Sequence, residues 1–217
     1  MTPTNAGPGP LTLDDIAAPA AYERARDGFR RRITELKRRR RVALGPVVTL
    51  VFENVDTVRF QVHEMVRAER ITTDRGIQAE LDVYNALLPA VGELSATLFI
   101  ELTSEEELRR WLPRLVGIER SVALELPGAA GGGDPVELVS CVPEAGHEEA
   151  LTREEITAAV HYVRFPLTGD QVGRFAAGPV ALVATHPAYH ERTGLSEETR
   201  AELVADLRGE GEPIPLG

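Results

Sequence analysis

Two histidines set on strand-like segments are the side chains in this sequence best suited to hold a metal or move a proton. His161 alternates with Ala159, Val163, Phe165 and Leu167, so it shares their inward face while Tyr162 and Arg164 point the other way. His186 sits in Thr185-His-Pro-Ala-Tyr-His190, where Pro187 fixes the backbone after it and would hold the imidazole at a sheet edge. With a carboxylate from Glu69, Glu64 or Glu53, the pair would suit non-haem iron or zinc. The plainer account is a hydrogen-bonded core histidine and carboxylates paired with arginines. No two of these residues have ligand spacing within one element. Glu69 is expected on the apolar side of its helix with Val58, Val62 and Met65, where an unpaired carboxylate would be costly.

Cations form the second set. Arg59, His63, Arg67 and Arg70 are spaced 4, 4 and 3 and line one helical face. Such a stripe attracts carboxylates or phosphates and repels a metal ion, which makes His63 a poor ligand. The run Lys37-Arg38-Arg39-Arg40-Arg41 could contact a polyanion. It could equally end a helix, where cations meet the negative dipole end, or clamp acidic parts of the chain or a partner. Tyr22 to Arg41 carries ten basic and three acidic residues, a local +7 in a chain of net −10. The remainder, at −17, repels nucleic acid, and no aromatic interleaves the run for base stacking.

Several familiar chemistries are missing. The Gly128–Asp134 stretch lacks the Lys-Ser/Thr ending of a phosphate loop and the strand-to-helix setting of a dinucleotide fingerprint, and reads as a flexible loop. No Gly-x-Ser-x-Gly elbow occurs. The single cysteine, Cys141, excludes cysteine-ligated clusters and an internal disulfide, and reads as a small semi-buried hydrophobe. No catalytic nucleophile can be assigned.

The elements that must position these residues follow from periodicity. Tyr22, Ala25, Phe29, Ile33 and Leu36 define a long helix from Pro19 to about Arg41, ended by Gly45-Pro46. Val47–Glu53, apolar on both faces, reads as a central strand, followed by helices over Val55–Ile71 and Asp74–Leu88. Leu94–Leu102 alternates as a half-buried strand, with Ser95, Thr97 and Glu101 on its polar side. Ser104 and Glu107 form a capping box for a helix to Leu115. Strands are predicted over 118–126, 135–142, Ala158–Leu167 and Pro179–Thr185. Thr168 and Gln171 cap a short helix, and a last helix runs from Ser196 to Leu207.

Strands that follow one another without intervening helices predict an α+β fold, a mostly antiparallel or mixed sheet of about six strands with helices packed on it. One domain should span 11–208, with a disordered 1–10 and a fraying tail from Gly209. No run approaches the ~18 apolar residues of a membrane helix, the first ten residues do not resemble a signal peptide, and the lone cysteine fits a reducing compartment. Together these predict a cytoplasmic protein without membrane insertion.

Longer stretches carry a family resemblance. Arg41-Val-Ala-Leu-Gly-Pro, Phe52-Glu53-Asn54, Asp56 through Gln61 and Glu64 through Ile71 resemble an uncharacterised bacterial family, domain of unknown function 3501. Ala159 through Phe165 and His186-Pro-Ala-Tyr189 add to the likeness, which spans roughly 11–190. The chain departs from the family in its Pro/Gly-rich start, Gly-rich loop and acidic tail, and carries His63 where the family pattern leads one to expect Gln; His161, His186 and Glu64 match. Family members are often encoded beside a rubrerythrin-like protein and an iron–sulfur protein of the heterodisulfide-reductase type. The resemblance therefore implies a non-catalytic accessory or partner role in peroxide or iron redox chemistry. A metalloenzyme or metal carrier, and a polyanion binder through 37–41, are the alternatives.

Overall fold

The computed structural model describes residues 9–129, 135–144, 156–211 and 213–216. The expected disordered start, apart from its last two residues, and most of the expected Gly-rich loop lie outside them. The elements run α1 (Pro19–Arg39), β1 (Arg41–Leu44), β2 (Val48–Glu53), α2 (Val55–Ala68), α3 (Asp74–Tyr84), β3 (Glu93–Ile100) and α4 (Glu105–Trp111). There follow β4 (Val122–Pro127), β5 (Val136–Ser140), β6 (Val142–Pro143), β7 (Val160–Pro166), α5 (Gly169–Ala177), β8 (Ala181–His186), β9 (Tyr189–Gly194) and α6 (Glu197–Arg208). The class is α+β, as predicted, but the strands form two sheets instead of one. Their orders are β1-β2-β3-β7-β6 and β5-β4-β8-β9, and every pairing is antiparallel.

Alternation decides which side chains meet between the sheets. Val48, Leu50 and Phe52 of β2, Leu94, Ala96 and Leu98 of β3, and Val163 and Phe165 of β7 join Leu124, Leu126 and Leu182 in one apolar cluster. The chain passes between sheets at Cys141, which separates β5 from β6. At the opposite edge the Tyr189 hydroxyl donates to the Leu44 carbonyl at 2.5 Å and ties β9 to the β1–β2 hairpin.

The other face of the first sheet is also covered, which corrects the half-buried reading of β3. Ser95 and Thr97 are buried beneath a layer containing α2 and α3, whose Val58, Val62, Val66 and Leu81 pack with Tyr162. Arg164, beside Tyr162 on this face, binds Glu93 and the carbonyl of Ala86, pinning the end of α3 to the sheet. The polar side of the alternation is thus an interior layer between sheet and helices.

Several boundaries differ from expectation. Helix α1 stops at Arg39, and Gly45, at φ +72°, turns the β1–β2 hairpin instead of ending the helix. Strand β9 occupies a segment read as irregular. In the tail, the Ile214 amide donates to Asp56 (3.0 Å), and Arg32 binds the carbonyls of Pro215 and Leu216 (2.7 and 2.9 Å).

Candidate functional site

Between the first sheet and its helices lies a cavity of about 170 Å³. Its floor comes from three adjacent strands: Glu53 ends β2, Thr97 and Phe99 lie on β3, and Val160 and Tyr162 lie on β7. The register sets Thr97 opposite Tyr162 and Phe99 opposite Val160. Gln61 and Val58 of α2, Tyr84 of α3, Leu87 and Lys37 of α1 complete the lining. Asn54, directly after Glu53, caps α2 by accepting from the Thr57 amide (3.1 Å), so the strand gives way to the covering helix within one residue.

Glu53 is only 7% exposed. Its Oε1 accepts from the Thr97 hydroxyl at 2.7 Å, and among the described residues it has no ion pair. Burial, with smaller contributions from Tyr84 and Glu53, raises the Tyr162 phenol above its usual value. At neutral pH Tyr162 therefore keeps its proton and can donate a hydrogen bond. A carboxylate, two phenols, an amide and an ammonium around one small space can orient a polar molecule carrying charge of both signs.

The residues predicted as metal ligands are not gathered here or elsewhere; among the described residues no group of three or more His, Cys, Asp or Glu is placed to hold a metal. His161 faces the core between the sheets, as alternation predicted, with Nε2 2.8 Å from Thr157 Oγ1 and 2.9 Å from the Ala158 carbonyl. Burial lowers its pKa, partly offset by Glu119, a buried carboxylate absent from the predicted set whose Oε2 has no hydrogen-bond partner among the described residues. His186 Nδ1 accepts from the Ala188 amide (3.1 Å) and Nε2 lies 2.9 Å from the Val116 carbonyl, which engages both ring nitrogens. Glu64 accepts two 2.7 Å bonds from Arg26 and one of 2.7 Å from Tyr22. Glu69 corrects the sequence reading: it is the exposed C-cap of α2, not a member of its apolar side.

The family model described as "Protein of unknown function (DUF3501)" matches residues 10–207. This chain belongs to that family. It is similar to a crystal structure described as a novel protein of unknown function from Burkholderia pseudomallei K96243. That protein is 35% identical, with a TM-score of 0.80, and the match covers 92% of this chain and all of the other. No curated protein matches. Glu53, Gln61 and Tyr162, which lie in stretches that carry the family resemblance, all line the cavity.

In this DUF3501 member most of the predicted cations are engaged internally. Arg38 pairs with Glu35 and Glu198, Arg39 with Glu202, and Arg41 with Glu101. Arg40 is buried against Asp206. Four basic residues thus bind carboxylates, three of them on α6, the clamping alternative for the run. Arg59 pairs with Asp56 and the Ile214 carbonyl, and Arg67 with Glu23. Lys37 alone of the run lines the Glu53 cavity, joining residues the sequence had put in separate sets. Tyr84, Thr97 and Tyr162 were missed as site residues; the polar alternation of β3 and β7 was the only signal for Thr97 and Tyr162.

Proposed function

We propose that this protein binds a small zwitterion bearing an amine or guanidine in the cavity beneath α1, α2 and α3. Glu53 would pair with the cationic group and Lys37 would face the anionic one. The observation that carries this reading is the nearly inaccessible Glu53 carboxylate with one hydroxyl donor and no ion pair among the described residues. An uncompensated buried charge is costly, and an entering cation removes that cost. The Tyr162 phenol and the other polar groups would fix orientation, as a few placed polar groups do in an otherwise apolar pocket.

Thermal-shift titration with L-arginine, L-lysine and agmatine, set against glutarate, tests it. Saturation near one hundred times Kd stabilises by about 2.7 kcal/mol, a rise of roughly 5–11 °C for a chain of this size. Glu53→Gln keeps an acceptor for Thr97 and removes the charge, so it should fold normally and lose the response. A response unchanged in that variant, or confined to glutarate, overturns the proposal, as does no response of the wild type to any cationic compound.

A further inference from the structure

A second pocket lies at the other end of α1, fifteen residues from Lys37 at Tyr22, or roughly 22 Å along the helix. There the Tyr22 and His63 rings stack with centroids 4.3 Å apart and planes 3° apart, and Phe29 meets the imidazole edge-on at 6.3 Å. His63 is 2% exposed, yet among the described residues its ring has no hydrogen-bond partner, and it lines a cavity of about 240 Å³. An imidazole with no protein partner at a cavity wall leaves its ring nitrogens open to water or to a ligand atom in that cavity. Burial, then the charge of Arg59, depresses the imidazole to about 4. At neutral pH it is uncharged and can donate or accept.

The remaining walls define what fits. Ala17, Pro19, Val66 and Ile71 are apolar, and the space exceeds the roughly 150 Å³ that holds benzene in an engineered core. Two arginines line the cavity. Arg67 pairs with Glu23 at 2.8 Å, whereas Arg70 makes no ion pair among the described residues. Arg70 also has φ +56°, the only non-glycine positive φ among them. This is the left-handed residue after the Glu69 C-cap, where the Ile71 amide closes α2 on the Val66 carbonyl at 2.9 Å.

We propose that this pocket takes a small amphiphilic monoanion, a short-chain or aryl carboxylate. Its apolar body would lie on Val66 and Ile71, its head drawn to Arg70 and hydrogen-bonded by neutral His63. Hexanoate is the probe, with hexylammonium and acetate as controls for charge and tail. Affinity is read by calorimetry, and the His63 ring nitrogens by NMR. Hexanoate should shift the ring resonances and bind more tightly than either control. Arg70→Gly, which suits the backbone, and His63→Phe, which keeps the stack, should each weaken it about tenfold (1.4 kcal/mol). Glu53→Gln should leave it unchanged, separating this site from the first cavity. Equal affinity in Arg70→Gly and His63→Phe, equal binding of hexylammonium, or no movement of the His63 resonances at millimolar hexanoate overturns the assignment.

Discussion

Replacing Arg40 with methionine should be among the most damaging single changes available in the basic run. The Arg40 side chain is 2% exposed and the facing Asp206 6%. The guanidinium grips Asp206 through two bonds of 2.5 and 2.9 Å, and reaches Glu202 at 3.4 Å. Burial pushes the Asp206 carboxyl up from its usual range in spite of that partner. The pair is therefore held in place without being a large net source of stability. Its removal from one side is another matter: a buried carboxylate without its cation costs about 3–5 kcal/mol. At roughly 2–4 °C per kcal/mol for this chain length, Arg40→Met should lower Tm by about 6–20 °C. The double variant Arg40→Met/Asp206→Leu removes both charges and should recover most of the loss, since well-packed apolar replacements of buried pairs are often neutral or better. Urea melts of the four proteins of the cycle, read by tryptophan fluorescence and far-UV dichroism, give the coupling energy. A single variant that melts with the wild type, or a double variant as unstable as the two single losses added, would refute the clamp.

Two further outcomes follow from buried groups. The folded His63 imidazole titrates near 4 against 6.5 unfolded, so the unfolded chain binds the extra proton between those values and stability is lost as pH drops through that window. From pH 7 to 4 the loss is about 3 kcal/mol. His63→Phe should flatten the pH dependence by that amount, with His161 cancelling because both proteins retain it; parallel curves would contradict the burial. The Cys141 thiol, buried and donating to the Glu119 carbonyl at 3.1 Å, is pushed up to about 12. Ellman's reagent should react with native protein only as fast as it opens and at once in denaturant; prompt native labelling would count against that placement.

How much of this was readable beforehand depends on the kind of signal. Local hydrogen bonding was legible: the capping boxes at Ser104–Glu107 and Thr168–Gln171 both form. So was the inward face of His161. The missed strands β1 and β9 are short sheet edges carrying Arg41, His190, Glu191 and Arg192. Charge there discourages pairing with other chains and also hides the strand from a hydrophobicity reading. Period-two alternation says which side chains share a face but not what covers it, so Thr97 and Tyr162 could not be told from solvent-facing residues. The proposed redox setting and its rubrerythrin-like and iron–sulfur partners rest on the family resemblance alone.

The choice between carboxylates shows why residue type could not find the site. Glu53 and Glu64 both lie in stretches that carry the resemblance, eleven residues apart, and either could have served as a ligand. Folding separates them by their partners. Glu64 receives a bidentate guanidinium and a phenol, which lower its pKa and occupy its charge. Glu53 receives one neutral hydroxyl while facing a cavity. A pairing partner for Glu64 comes from α1, 38 residues upstream, and that separation is set by how α1 crosses α2, which no spacing rule within a single element encodes. The unspent charge, and with it the candidate site, emerges only once Asp56, Glu64 and Glu93 around it have found their arginines.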